Sequence, residues 1–309
     1  MADGETPAAR GYDENNELQA GCRVFRPEMK STMPESDLTK RSRASAQGWG
    51  GDIVRLFLKL AWLILFLPVP AFAWQVPVLV YHRFGPEATD SMMVRTAAFE
   101  AQLRQIEAGG YTVIPLRRVV DALAGRAPPP PPGSVAVTAD DGHRSVYTEM
   151  WPILRRHPIP VTLFIYPSAI SNARYAMTWD QLAELRAGGL FDIQSHSYWH
   201  PNFMRERKRL DPVAYARLVD TQLTRSRQVL EARLGGRVDL LAWPFGLQDA
   251  DLRRRAAQLG YVAGFTLERR PVRAGDDPMA LPRYLITDAV SDKAFAAILR
   301  QAGTPGAKP

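Results

Sequence analysis

Cysteine is almost absent from this 309-residue chain, and histidine is scarce. Cys22 is the only cysteine, so no disulfide can form within the chain, and a zinc site built from several thiolates is excluded. Any metal ion held by the chain must therefore take its ligands from histidine and carboxylate side chains. The sequence contains five histidines, and none follows His200, which limits the candidate ligands to a few positions.

The sequence also lacks an uninterrupted apolar run of about twenty residues, the length that a membrane-spanning helix needs. A shorter apolar run at 60–73 follows the positive residues Arg55 and Lys59 and ends in Ala71-Phe72-Ala73. This order is typical of a secretory signal peptide. We predict a signal peptide over residues 53–73 that is cleaved after Ala73, with the mature chain exported to the periplasm or secreted. An uncleaved membrane anchor is the alternative.

Residues 1–52 are polar and show no hydrophobic periodicity, which is typical of a disordered segment. Because signal peptides begin near the initiator, a long segment ahead of one is unusual. We interpret residues 1–52 as a disordered extension, or as sequence upstream of a true start near Val54.

Negative charge is in deficit, with 39 Lys and Arg against 32 Asp and Glu, a formal net charge of +7. Residues 1–73 carry about nine charges of each sign, so the excess belongs to the rest of the chain. A solvated basic surface explains it, and contact with an anionic polymer or membrane surface is the alternative. No nucleic-acid motif accompanies these charges, so nucleic acid is not an expected partner.

From Val76 onward, short apolar runs typical of strands alternate with helical patterns. The predicted strands are 76–81, 135–138, 161–165, 191–194, 240–243, 261–265 and 281–286. The predicted helices are one with Phe99, Leu103 and Ile106 on its apolar face, and those at 146–156, 179–187, 212–234, 249–259 and 292–301. This alternation favours a parallel sheet covered by helices. We predict an α/β fold, a distorted (β/α)7 barrel with parallel strands, as a single domain over residues 74–303, followed by a disordered tail at 304–309.

Two acidic residues and two histidines follow predicted strands. Asp140 and Asp141 come after the run at 135–138, and His196 and His200 come after the run at 191–194. Asp-Asp-Gly alone also makes an ordinary turn, and two nearby histidines alone need not bind metal. Side chains at the carboxyl ends of parallel barrel strands meet at one mouth. We therefore predict a metal site there, with one carboxylate left over for proton transfer.

With these motifs the chain resembles the polysaccharide deacetylases of the NodB-homology type, carbohydrate esterase family 4. Further similar stretches are Val78-Leu-Val-Tyr-His82, Ala242-Trp-Pro-Phe-Gly246 and Leu281-Pro-Arg-Tyr-Leu-Ile286, so the resemblance covers about residues 76–302. The first and last stretches are similar to the branch that contains the deacetylases of biofilm poly-N-acetylglucosamine. The resemblance implies a hydrolase that removes N-acetyl groups from an N-acetylglucosamine-containing polysaccharide and releases acetate.

The resemblance also implies roles for individual residues. Asp141, His196 and His200 resemble the family's metal triad, usually zinc, and Asp140 resembles its general base. Cobalt and nickel suit the same ligands. Two departures follow: Trp243 replaces the arginine that usually braces the base, and the late histidine that usually serves as the general acid is absent.

We expect other residues to fill these roles. Arg144, Arg283 or neither braces Asp140, and His82 is the candidate general acid, with a histidine merely hydrogen-bonded in the mouth as the alternative. Four aromatic residues in or beside the motifs are expected to contact sugar rings: Tyr198, Trp199, Trp243 and Tyr284. The alternatives in function are a catalytically degenerate barrel that only binds glycan, and a carbohydrate esterase that removes O-acetyl groups.

Overall fold

The computed structural model describes residues 74–306. The predicted extension at 1–52 and signal peptide at 53–73 lie outside the described residues, as do the last three residues of the predicted tail. Within residues 74–306, no helix is both long enough and apolar enough to cross a membrane.

Twelve strands and eight α-helices can be numbered among the described residues. The strands are β1 Gln75–Val76, β2 Val78–Tyr81, β3 Arg83–Gly85, β4 Met93–Arg95, β5 Thr112–Val113, β6 Ser134–Asp141, β7 Val161–Ile165, β8 Phe191–Ser195, β9 Leu240–Ala242, β10 Ala263–Phe265, β11 Val272–Arg273 and β12 Tyr284–Leu285. The helices are α1 Thr96–Ala108, α2 Leu116–Leu123, α3 Trp151–Leu154, α4 Trp179–Ala187, α5 Phe203–Arg209, α6 Pro212–Leu234, α7 Ala250–Gln258 and α8 Asp292–Leu299.

Seven parallel strands form the barrel, in the order β10-β9-β8-β7-β6-β2-β12, and a short eighth strand of the sheet, β5, pairs parallel with β6. A parallel bridge between Phe265 of β10 and Leu281, just before β12, connects the two edges of this order. One cluster of apolar side chains fills the inside of the barrel. A larger cluster lies between the outside of the barrel and the helices that cover it. The predicted distorted barrel of seven parallel strands is confirmed.

Several element boundaries differ from the predicted ones for identifiable reasons. Pro77 divides the predicted strand at 76–81, since it has no N–H to donate. As a result β1 pairs antiparallel with β11, while β2 joins the barrel. The predicted helix at 146–156 begins as a π-helical turn over Val146–Met150, and α3 then carries Pro152 in its first turn. The predicted bounds of α4 and α6 match the structure, and each helix has a side-chain N-cap, Thr178 and Asp211.

Candidate metal centre and active site

The two adjacent aspartates lie at the carboxyl end of β6, within the strand rather than after it. Asp140 is in register with Phe164 of β7, and Asp141 with Ile165. Neighbouring residues of an extended strand point to opposite faces. Asp141 departs from that rule because its φ is 74°, in the left-handed region that non-glycine residues seldom adopt. Gly142 continues the turn with φ 79°, and a Cβ there would lie 3.0 Å from the Ile165 side chain. The turn brings both carboxylates to the mouth.

The two histidines lie on the loop that follows β8. The His196 backbone N–H donates to the Ile165 carbonyl at 2.8 Å, which continues the pairing with β7. Ser197 and His200 both have φ near 60°, and the Ser197 hydroxyl accepts from the His200 N–H at 3.2 Å. Gln222 of α6 accepts from the N–H groups of two further loop residues, Tyr198 and Trp199. The side chains of Ser197 and Gln222 therefore stabilise the turn of this loop.

Asp141, His196 and His200 converge on one point. Their candidate ligand atoms all lie within 4.8 Å of one another. The Asp141 Oδ1 atom is 3.5 Å from His196 Nε2 and 3.8 Å from His200 Nε2. His196 Nδ1 donates to the Ala242 carbonyl at 2.8 Å, which fixes the ring with Nε2 facing Asp141. Two imidazole nitrogens and one carboxylate oxygen suit a catalytic divalent-metal site, and three protein ligands leave one position open.

The charges within this group depend on one another. Burial raises the pKa of the Asp141 carboxyl, but the neighbouring histidines more than offset that effect and hold its pKa far below the usual range. Burial lowers the pKa of His200 to about 3, so its imidazole is neutral at neutral pH. Burial also opposes protonation of His196, but the carboxylates of Asp140 and Asp141 outweigh it and raise the pKa of that ring. An ionised carboxylate beside a neutral imidazole is the protonation state that metal binding requires.

Arg283 holds the second carboxylate, Asp140. Its Nη1 and Nη2 atoms donate to Asp140 Oδ1 and Oδ2 at 2.8 and 2.7 Å, and its Nε donates to the Thr266 carbonyl. Arg283 is fully buried, and its guanidinium lies over the rings of Phe164 and Phe265. Burial raises the pKa of Asp140, whereas Arg283 and then His196 lower it, with the net result below the ordinary value. Asp140 is therefore an ionised carboxylate that is not needed to complete the triad.

The structure shows which of the two candidate arginines, Arg144 or Arg283, contacts Asp140. Arg144 is exposed, and its guanidinium reaches only the Arg174 carbonyl at 3.5 Å, so it does not contact Asp140. The partner of Asp140 comes instead from the segment just before β12, 143 residues along the chain.

His82 follows β2 and is buried at the same mouth. Its Nδ1 atom has no hydrogen-bond partner among the described residues. Burial lowers the pKa of His82, while the nearby carboxylates of Asp141 and Asp140 oppose that effect. If His82 were only a hydrogen-bonded structural histidine, its Nδ1 atom should have a partner, and none lies within residues 74–306.

The four aromatic residues predicted to contact sugar divide into two groups. Trp243 is fully buried and donates its indole N–H to the Met279 carbonyl, and Tyr284 is buried with its hydroxyl on Gln301. Both rings are covered by protein, so neither has a face for a sugar. Trp199 is 44% exposed, and Tyr198 lies beneath the guanidinium of Arg225.

Sequence reasoning missed two tyrosines on the loop after β7. The Tyr166 ring lies 5.3 Å from that of His200, and its hydroxyl is 2.7 Å from that of Tyr175. Tyr175 is 43% exposed and stacks on His143. Neither tyrosine lies in a motif, so only the position of Tyr166 directly after a predicted strand offered a signal.

Comparisons with known proteins agree with this geometry. The model of the polysaccharide deacetylase family matches residues 127–264, which include the aspartates and both histidines of the site. The poly-β-1,6-N-acetyl-D-glucosamine N-deacetylase of Escherichia coli (strain K12) is 27% identical over 252 residues, which cover 70% of this chain and 37% of that protein. The chain thus spans little more than a third of that relative's length.

Two solved structures share the fold. IcaB from Ammonifex degensii superposes with a TM-score of 0.64 at 26% identity, covering 74% of this chain and 97% of that one. The Streptococcus pyogenes deacetylase PplD, solved in complex with acetate, superposes with a TM-score of 0.65 at 21% identity, covering 74% and 99%. The matched family model, the shared fold and the converging site residues lead to one conclusion: over residues 127–264 this chain resembles the polysaccharide deacetylases.

Proposed function

We propose that this protein is an exported, zinc-dependent enzyme that hydrolyses N-acetyl groups of an N-acetylglucosamine-containing polysaccharide. The observation that carries the proposal is the convergence of Asp141, His196 and His200 beside a carboxylate, Asp140, which a buried arginine holds in place. The name of the E. coli relative supports poly-β-1,6-N-acetylglucosamine as the polymer. The apolar run before Trp74 supports export.

Zinc is the proposed ion because two imidazoles, one carboxylate and an open position are the donor set of many catalytic zinc sites. When bound by Asp141, His196 and His200, the ion would supply Lewis-acid chemistry at the acetyl carbonyl. The carbonyl of Ala242 fixes the His196 ring so that Nε2 faces Asp141 and would be available to hold the ion.

Asp140 is the proposed general base. Its two oxygens accept from Arg283, and Oδ2 also lies 3.8 Å from His196 Nε2, so the carboxylate is fixed beside the triad. From this position it accepts a proton from the attacking water. Arg283 provides the bracing arginine that the family usually carries at the position of Trp243. This favours an active enzyme over a degenerate glycan-binding barrel.

His82 is the proposed general acid for the departing amine. An amide is cleaved only if its nitrogen is protonated as it leaves. His82 is buried at the mouth with Nδ1 unpartnered among the described residues. Burial lowers the pKa of its imidazole, and the carboxylates of Asp141 and Asp140 oppose that effect only in part, so a protonated His82 gives up its proton readily. It thereby replaces the late histidine that this chain lacks.

Acetate release tests the proposal. The chain without residues 1–73, supplied with zinc, is expected to release acetate from β-1,6-linked N-acetylglucosamine oligomers. Asp140→Asn is expected to keep bound zinc while losing most of the turnover, because it removes the base and none of the triad. Acetate release from O-acetylated glycans alone would replace the N-deacetylase assignment with an esterase. Glycan binding without acetate release from either class would establish the degenerate barrel.

A further inference from the structure

The loop that carries the second candidate histidine ligand is held by side chains rather than by regular backbone pairing. The four consecutive N–H groups of residues 197–200 each donate to a side-chain oxygen. Ser195 Oγ accepts from Ser197 at 3.2 Å, and Ser197 Oγ accepts from His200 at 3.2 Å. The two N–H groups between them both donate to Oε1 of Gln222, at 3.2 and 2.9 Å. Because helices and sheets supply backbone carbonyls for this purpose, the form of this loop depends on particular side chains.

Gln222 is one of two polar residues on the buried face of α6. The other, Ser226, lies four residues farther on and therefore on the same side of the helix. Ser226 Oγ accepts from the Ser195 hydroxyl at 2.8 Å, and Ser195 in turn accepts from the Ser197 N–H. A buried polar side chain is costly unless it is hydrogen-bonded. Both polar positions of this face meet that condition by bonding to the histidine loop or to its direct support.

The loop needs such support because its backbone is strained. Ser197 and His200 have φ values of 63° and 60°, which non-glycine residues adopt only when their surroundings hold them. In this form the rings of His196 and His200 lie with centroids 4.6 Å apart. Oε1 of Gln222 bonds to the backbone between these two histidines. If that oxygen were removed, the loop would gain freedom, and metal binding would have to order it.

We propose that Gln222 is a positioning residue that sets the metal affinity of the site by holding residues 197–200 in the form that brings His200 to His196 and Asp141. This inference rests on the proposed function, in which zinc occupies the triad. It adds that a residue of α6, outside the motifs, determines how tightly the ion is held. Gln222 acts through the loop backbone, so its effect falls on zinc affinity.

Substitution of Gln222 by methionine tests this role. Gln222→Met keeps the length of the side chain but has no oxygen to accept from the two N–H groups. We expect the Kd for zinc, measured by competition with a chromogenic chelator, to rise about ten- to hundredfold, the effect typical of losing a group that orients metal ligands. Gln222→Glu retains an oxygen acceptor at this position, so its Kd should stay close to the wild-type value.

Gln194 of β8 offers a matched control. It is fully buried, and its Oε1 atom also accepts from two consecutive N–H groups, those of Asp239 and Leu240 at the start of β9, both at 3.0 Å. Gln194→Met and Gln222→Met are expected to lower the urea midpoint of the metal-free chain by similar amounts, because each leaves two N–H groups without their acceptor. Only Gln222→Met should raise the Kd for zinc. An equal rise in both variants, or a wild-type Kd in Gln222→Met, overturns the inference.

Failure of this inference and failure of the proposed function give different results. A wild type that binds zinc but releases no acetate refutes the deacetylase, while the Kd values of the variants still decide the role of Gln222. A wild type that binds no zinc overturns both. If Gln222→Met does not fold, Gln222→Asn takes its place, since its amide is one methylene too short to reach both N–H groups. The same rise in Kd is expected, and a wild-type Kd in Gln222→Asn overturns the inference.

Discussion

Replacement of Arg283 by methionine is expected to destabilise the fold through Asp140 rather than through lost packing. The methionine side chain approximates the aliphatic part of arginine but lacks the guanidinium, whose N–H groups donate to both Asp140 oxygens. Both residues are almost inaccessible to bulk solvent, so water replaces little of what the guanidinium contributes. The variant leaves a buried carboxylate without its cation.

The expected loss is about 3–5 kcal/mol in the free energy of unfolding at pH 7, which is typical when one member of a buried ion pair is removed. For a domain of this size it corresponds to a decrease in Tm of about 10 °C. Replacing both members, as in Arg283→Met with Asp140→Leu, is expected to restore most of the stability, because an apolar pair of similar volume needs no desolvation of charge.

The loss should also depend on pH. The pKa of Asp140 in the folded protein lies below its ordinary value of about 4, so in the wild type its stabilising contribution is present above that value and is lost as the pH falls through the lower, folded-state pKa. In Arg283→Met, burial raises the pKa of Asp140, and its carboxyl is protonated at a higher pH. The difference between variant and wild type should therefore shrink as the pH is lowered toward 4.

Urea unfolding with a chelator present measures these free energies without a contribution from bound metal. Arg254→Met is the control: Arg254 makes an i,i+3 pair with Asp251 in which both side chains are more than half exposed, so little change is expected. If Arg283→Met unfolds like the wild type, or if the double variant is no more stable than Arg283→Met, the ion pair does not fix Asp140 and the bracing role is wrong.

Three further predictions concern the metal, the acid and the backbone. His200→Ala should reduce zinc retention after dialysis at least tenfold, measured by metal analysis, whereas His157→Ala, outside the site, should not. His82→Ala should slow acetate release from the amide substrate by about 10²–10⁴-fold with zinc content unchanged, and should spare 4-nitrophenyl acetate, whose leaving group needs no proton. Gly246→Ala, with φ +68° and its Cβ placed 2.7 Å from the Leu267 nitrogen, should lose about 2–3 kcal/mol in urea unfolding. Gly125→Ala, with φ +67° in open space, should lose about 1 kcal/mol.

The sequence predicted the fold and the convergence of the three candidate metal ligands because both depend on regularities of strands. Continuous apolar runs alternating with helical patterns imply a parallel barrel, and residues that follow such runs come to one end of it. Asp141, His196 and His200 follow or end their strands in this way, so their convergence required no knowledge of exact register.

The partner of Asp140 did require register, and so did the direction of each aromatic side chain. Tyr284 pairs with Leu79, which fixes the preceding Arg283 toward the inside of the barrel and Tyr284 itself toward the outer apolar cluster. Trp243 likewise follows the inward Ala242 and packs outward. A shift of one residue would exchange these faces, and a sequence motif does not distinguish the two arrangements.

Backbone strain in the described residues is confined to the functional end of the barrel. Five non-glycine residues have positive φ: Asp141, Ser171, Ser197, His200 and Phe245. All five lie at the end of β6 or on the loops after β7, β8 and β9. A left-handed conformation costs a non-glycine residue about 1 kcal/mol or more, so it persists only where the surroundings hold it in place.

Two of the strained residues are themselves candidate metal ligands, which connects the strain to the site. Asp141 must leave the alternation of β6 for its carboxylate to join the mouth beside Asp140, and His200 must reverse the loop so that its ring meets that of His196. The opposing stabilisation comes from neighbouring side chains, such as Gln222 of α6, whose Oε1 atom accepts from two N–H groups of the loop after β8. The fold therefore holds the candidate ligands close together without an ion, so that less of the free energy of metal binding would be needed to order them.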